Sequence, residues 1–123
     1  MYLNYPGLRW IENEKTGRSE IVYWNGKYET NIYGGKLIEN IIQALARIVI
    51  AEQIVKVNRW LESFGDGVSR VILTVHDEII ALFPDKNPEE TLSIMLEMMR
   101  VPPDWCADLP LDSEGGFDVC YSK

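Results

Sequence analysis

Short apolar runs separated by turn residues fill the first thirty positions. Leu8-Arg9-Trp10-Ile11-Glu12 reads as an extended run, and Asn13-Glu14-Lys15-Thr16-Gly17 as a polar turn. Glu20-Ile21-Val22-Tyr23-Trp24 is rich in β-branched and aromatic residues. Asn25-Gly26 offers the two positive-φ positions of a tight hairpin, with Lys27-Tyr28-Glu29-Thr30 returning. A small antiparallel meander over 1–32 is therefore expected.

The period then changes. After Tyr33-Gly34-Gly35, apolar residues fall at 37, 38, 41, 42, 45, 48, 49, 54, 55 and 57. Steps of three and four dominate, which predicts a long helix over 36–63. Between 41 and 50 it is apolar round most of its circumference, so it is expected to lie sandwiched between other elements. Its polar positions form one narrow stripe of Lys36, Glu39 or Asn40, Gln43 and Arg47 on a single face. Phe64-Gly65-Asp66-Gly67 ends the helix. Two apolar strands within 68–83, joined by the charged His76-Asp77, form a second hairpin. Asn87-Pro88-Glu89-Glu90 combines an N-cap residue, a proline at the first helical position and two acids at the positive end of the helix dipole. It opens a helix over 87–100, with Leu92, Met95, Leu96 and Met99 inward. A loop and a last strand, Phe117 to Tyr121, complete 101–123. The order of elements gives an α+β class, read as one domain.

Composition fits a globular chain: 123 residues, 46% hydrophobic and 25% charged. No apolar run reaches the roughly 20 residues of a membrane span. Met1 to Pro6 carries no basic region followed by an apolar stretch, so no secretory signal is read there, and no membrane association is expected. Cys106 and Cys120 are the only cysteines and His76 the only histidine, too few for a structural zinc site. The cysteines read as reduced thiols, which points to the cytoplasm. With 12 basic and 19 acidic residues the net charge is −7. Charge alone argues against general nucleic-acid binding, so any such role needs a local site or a partner's basic surface.

The chemistry concentrates in Leu73-Thr74-Val75-His76-Asp77-Glu78-Ile79-Ile80. Two adjacent carboxylates and the lone histidine sit at the tip of an apolar hairpin. In a strand register Asp77 and Glu78 point to opposite faces, so a specific partner is expected for one of them. Three readings follow from the residues alone: a solvated turn, a hard-oxygen site for Mg²⁺ or Mn²⁺, and a His–carboxylate pair for acid–base work. No nucleophile motif or phosphate loop is present.

Val71 to Ile80, with Val-His-Asp-Glu between apolar strands, resembles the third conserved motif of family A (DNA polymerase I-like) DNA polymerases. Tyr33 to Arg47 is similar to the long palm helix of their phage branch, and Tyr5-Pro6-Gly7-Leu8-Arg9 to the segment just upstream. Pro103-Asp104-Trp105-Cys106-Ala107-Asp108-Leu109-Pro110-Leu111, Glu114-Gly115 and Tyr121-Ser122-Lys123 resemble that branch's C-terminal ending. Ile48 departs from the pattern, since relatives often carry Asp there.

The resemblance implies part of a polymerase palm: an antiparallel sheet with a central hairpin, one long and one shorter helix, and a small N-terminal meander. It implies that Asp77 ligates metal, Glu78 shapes the site and His76 contacts the primer terminus. Gln43 would touch primer–template DNA, with Arg47, Asn40, Glu39 and Lys36 beside it. Two Mg²⁺ ions roughly 4 Å apart serve such nucleotidyl transfer from a dNTP, and one Asp cannot hold both. The second aspartate and the nucleotide-gripping fingers belong to a larger polymerase chain, as either a natural split subunit or the rest of one protein. Alone, this chain is expected to be inactive in DNA replication chemistry; if phage-encoded, it acts in the host cytoplasm. The alternatives are a non-catalytic phage accessory or relic protein that binds a polymerase or self-associates, and, more weakly, a metal-dependent nuclease.

Overall fold

The computed structural model describes residues 3–121. The fold is α+β, with two antiparallel sheets, one long helix and one shorter helix. The chain divides into two compact units between Ile48 and Val49.

In the first unit β1 (Arg9–Glu12), β2 (Ser19–Trp24) and β3 (Glu29–Ile32) form a meander in the order β1-β2-β3. Trp10 pairs with Ile21, and Ile21 with Ile32. Val22 and Ile32 are the buried side chains of this sheet. The β2–β3 connection differs from the expected two-residue turn. Trp24 pairs with Glu29, so Asn25 to Tyr28 form a four-residue loop and the returning strand starts two residues late. Asn25 explains the shift. Its Oδ1 accepts the backbone N–H groups of Lys27 and Tyr28, both at 3.0 Å. Those two bonds add to the backbone closure from Asn25 N–H to the Tyr28 carbonyl at 3.1 Å, and within the loop only Gly26 takes positive φ.

Helix α1 (Gly34–Glu62) begins in the first unit and ends in the second. Tyr33 carbonyl accepts the first N–H groups, from Lys36 and Leu37. The expected sandwich is not found among the described residues. The buried positions of α1 are Val49, Gln53, Val57 and Leu61, all in its second half. Ile38, Ile41, Ile42 and Leu45 face solvent. The periodicity marks an apolar surface, but no element among the described residues covers it at these four positions.

The second unit is built on that second half. Val57 and Leu61, both fully buried, meet Met95 at the centre. Trp60, Val71, Ile79, Ala81, Phe83, Met98 and Met99 close round them. The contributing strands are β4 (Arg70–Val75) and β5 (Glu78–Leu82), and the second helix is α2 (Pro88–Arg100). A two-stranded sheet is marginal alone, so its packing against the helical residues is what holds it. Each fully buried aliphatic side chain contributes roughly 1.5–3 kcal/mol by removal from water. Gln53, also buried, donates its amide to the Met99 carbonyl at the end of α2, where helical acceptors lack partners.

Asp66 organises the entry to β4. Its carboxylate accepts the N–H groups of Val68 and Ser69 and the buried Ser69 hydroxyl. The Ser69 hydroxyl first, and then these N–H groups, hold its carboxyl below the usual range. Asn58 of α1 accepts the Val71 N–H at 2.9 Å and so ties the strand to the helix.

Two local expectations need correction. Asn87 precedes α2, but its backbone is left-handed (φ 57°) and its side chain makes no cap bond; Pro88 and the acids Glu89 and Glu90 mark the helix start. Phe117 to Tyr121 is not a strand. A strand needs a neighbour for its N–H and C=O groups, and none of the described strands pairs with this stretch. Val119 is 96% exposed as a result. Just upstream the chain is held along α2: Arg100 donates to Asp112 and to the Ser113 carbonyl, and Ser113 Oγ to the Leu96 carbonyl. Ser122 and Lys123, which shared in the resemblance at the C-terminal ending, lie outside the described residues.

Candidate functional site

Two groups of side chains carry the candidate chemistry. The first is the β4–β5 tip. Val75 pairs with Glu78, leaving His76 and Asp77 as a two-residue connection. So short a loop forces backbone into the left-handed region, and His76 takes it at φ 54°. Histidine, with Asn and Asp, is among the non-glycine residues found there more often, though at a cost of roughly 1–2 kcal/mol for an L-residue. Register also fixes the faces. Ile79 and Ala81 join the core. Glu78 and Ile80 alternate with them and lie on the other side of the hairpin. Ile72 sits at a register shift between Val71 and Leu73, so β4 keeps Val71 inward despite the extra residue.

His76, Asp77 and Glu78 are all exposed. The ion pairs among the described residues are Arg9–Glu29, Lys36–Glu39 and Arg100–Asp112, and none involves the tip. The specific partner expected for one carboxylate is therefore not supplied by the described residues. Two neighbouring carboxylates are hard oxygen donors of the kind Mg²⁺ takes, but that ion needs near-octahedral coordination. No group of three His, Cys, Asp or Glu side chains suited to a metal occurs among the described residues. The tip thus fits as part of a ligand set and not as a whole one.

The second group is the polar stripe of α1. Lys36 Nζ meets Glu39 Oε2 at 3.0 Å, and Gln43 Nε2 donates to Glu39 Oε1 at 3.4 Å. The hydrogen bond that Lys36 donates to Glu39, and then the Glu39 charge, raise the Lys36 pKa. Asn40 is half-buried, and its amide donates to the Tyr5 hydroxyl at 3.0 Å. Tyr5 in turn stands edge-on to Tyr23, with ring centroids 5.0 Å apart. Asn40 and Tyr5 are 35 positions apart, so no spacing rule could have linked them. Arg47 is exposed and belongs to none of the ion pairs among the described residues. The stripe therefore offers Gln43 and Arg47 at its surface, with Lys36 partly neutralised and Asn40 engaged in holding the helix.

No helix among the described residues is long and apolar enough to cross a membrane. No protein-family model and no solved structure matches the chain. The chain is similar to the DNA polymerase of Bacillus phage SP02, with 32% identity over 117 residues. That match takes in 90% of this chain but only 16% of the polymerase. The chain is thus a distant homologue of one part of a phage DNA polymerase.

Proposed function

We propose that this chain is the C-terminal palm portion of a family A DNA-directed DNA polymerase, working with larger polymerase sequence that supplies the fingers and the other catalytic aspartate. The observation that carries this reading is the 117-residue match to the SP02 polymerase. The exposed, unpaired acids at a two-residue hairpin tip support it. Asp77 presents a carboxylate for Mg²⁺, Glu78 adds negative charge beside it, and His76 lies next to the primer terminus. When bound, the metal pair lowers the barrier to attack by the primer 3′-hydroxyl on the dNTP and stabilises the leaving pyrophosphate. Gln43 touches the minor groove of the primer–template, and Arg47 holds a phosphate.

The test is a chimera in which this chain replaces the segment of the SP02 polymerase that it matches. With Mg²⁺, dNTPs and primed template the chimera extends the primer, and the isolated chain does not. A folded chimera that makes no product overturns the reading, as does extension by the isolated chain above an Asp77→Ala control.

Arg47 gives a second prediction. In the chimera, Arg47→Ala weakens primer–template binding about equally across sequences. It also flattens the slope of log affinity against log salt by about 0.9, the value for one lost phosphate contact. Lys36→Ala has a smaller effect, because Glu39 already holds that charge. Binding titrations at several salt concentrations read both.

A further inference from the structure

The extra residue in β4 decides how the tip is built. Arg70 and Val71 pair with Leu82 and Ala81, while Leu73, Thr74 and Val75 pair with Ile80, Ile79 and Glu78. The register on the two sides of Ile72 therefore differs by one residue. Without that offset Thr74 would stand opposite Glu78, and the connection carrying Asp77 would lengthen to Val75-His76-Asp77. Leu73 would also turn to the face that Ile79 occupies, since a slip of one residue exchanges faces.

A bulge leaves the ladder locally unpaired. Here the Val71 N–H, beside the extra residue, goes to Asn58 Oδ1 of α1 at 2.9 Å. The Asn58 amide is itself oriented, because its Nδ2 donates to Glu62 Oε1 at 2.8 Å one turn further along the helix. A carboxylate only accepts, so Nδ2 faces Glu62 and the amide oxygen is left for Val71. Val57, next to Asn58, is fully buried and fixes this turn of the helix in the core.

We propose that Asn58 is a positioning residue for the Asp77 tip. With Glu62 orienting its amide, it pins the extra residue at Ile72 and so keeps the two-residue connection that presents the carboxylate. This rests on the polymerase reading above. Bulges raise the local twist and re-aim side chains beside active sites. Asn58 acts through β4 and not on the reactants.

Asn58→Leu removes the acceptor at similar volume. In the isolated chain it quickens amide hydrogen exchange at Val71 by roughly 10-fold and weakens the cross-strand NOEs that pair Thr74 with Ile79. In the chimera it raises the Mg²⁺ concentration for half-maximal primer extension by about 10-fold, with primer–template affinity unchanged. The deficit persists well below the unfolding midpoint, which a loss of stability alone would not produce. Asn58→Asp combined with Glu62→Gln keeps an oxygen for the Val71 N–H and a bond between the two side chains, and it restores the Mg²⁺ dependence. An unchanged Mg²⁺ requirement in a folded Asn58→Leu chimera overturns the proposal. So does a deficit that cooling removes, or one that the double substitution fails to restore. If Asp77→Ala stops extension and Asn58→Leu leaves the Mg²⁺ requirement alone, the positioning role is lost and the catalytic reading stands. If Asp77→Ala is harmless both fall, although quickened exchange at Val71 still shows the clasp.

Discussion

Asp77→Ala in the chimera is expected to cut primer extension by more than about 100-fold, the scale on which a preorganised electrostatic group acts in a transition state. The same substitution is expected to leave the isolated chain's unfolding midpoint and the chimera's DNA affinity essentially unchanged. Asp77 is exposed, sits in a turn and takes part in no ion pair among the described residues, so folding draws nothing from its charge. Asp77→Asn sharpens the test. It keeps the size and the hydrogen-bonding capacity of the side chain and removes its charge. If a hard cation is what the carboxylate serves, Asn is nearly as damaging as Ala; if only turn geometry matters, Asn is close to neutral. His76→Gly separates the backbone from the imidazole at the neighbouring position, because glycine takes φ 54° without steric cost. An activity loss in that variant, with an unchanged or raised midpoint, assigns the role to the ring.

The elements themselves were legible because each carries a strong local signal. The helix period from Leu37 to Val57, the β-rich run before Trp24 and the two apolar strands flanking His76-Asp77 all appear close to where the pattern places them. What the pattern could not supply was which apolar positions this chain covers. Ile41 and Val49 read alike in sequence, yet Val49 is buried and Ile41 is not. Periodicity reports the face a helix presents, and covering that face requires a partner element encoded elsewhere. The same limit explains Phe117 to Tyr121, whose alternation suits a strand but which finds no neighbouring edge. Side-chain competition accounts for the displaced β3, since nothing in the Asn-Gly pair alone says that Asn25 will close the loop through its own oxygen.

The candidate site divides in the same way. The acidic tip was legible because charge interrupts an apolar run there, and the stripe because four polar residues recur at helical spacing. The two acids remained ambiguous, since strand alternation leaves open which face meets the core. Register settles that point: Ile79 and Ala81 pack inward, and Glu78 turns out. Asn40 shows the converse. Its place in the stripe suggests a surface contact, but the hydroxyl of Tyr5 takes its amide. A polar residue on a helix face is thus as readily a fastening within the fold as a contact beyond it.

Leu61→Ala is expected to have the largest effect on stability. Leu61 is fully buried beside Val57 and Met95, with strand and α2 residues around it. Truncating it removes apolar contact and leaves a cavity, at a cost of about 2–5 kcal/mol. For a unit of this size that corresponds to a fall of about 10 °C or more in unfolding midpoint. Leu61→Met conserves volume and costs less than about 1.5 kcal/mol. Urea unfolding, followed by the fluorescence of Trp60 against this core, reads both; a near-neutral Leu61→Ala would mean the site collapses without loss and the core is not close-packed. The two kinds of damage also separate in the chimera. The hairpin that presents Asp77 is held by this core, so Leu61→Ala removes activity by unfolding its support, and cooling restores it. Asp77→Ala leaves the support intact and removes the charge, so its loss of activity persists at every temperature at which the protein is folded.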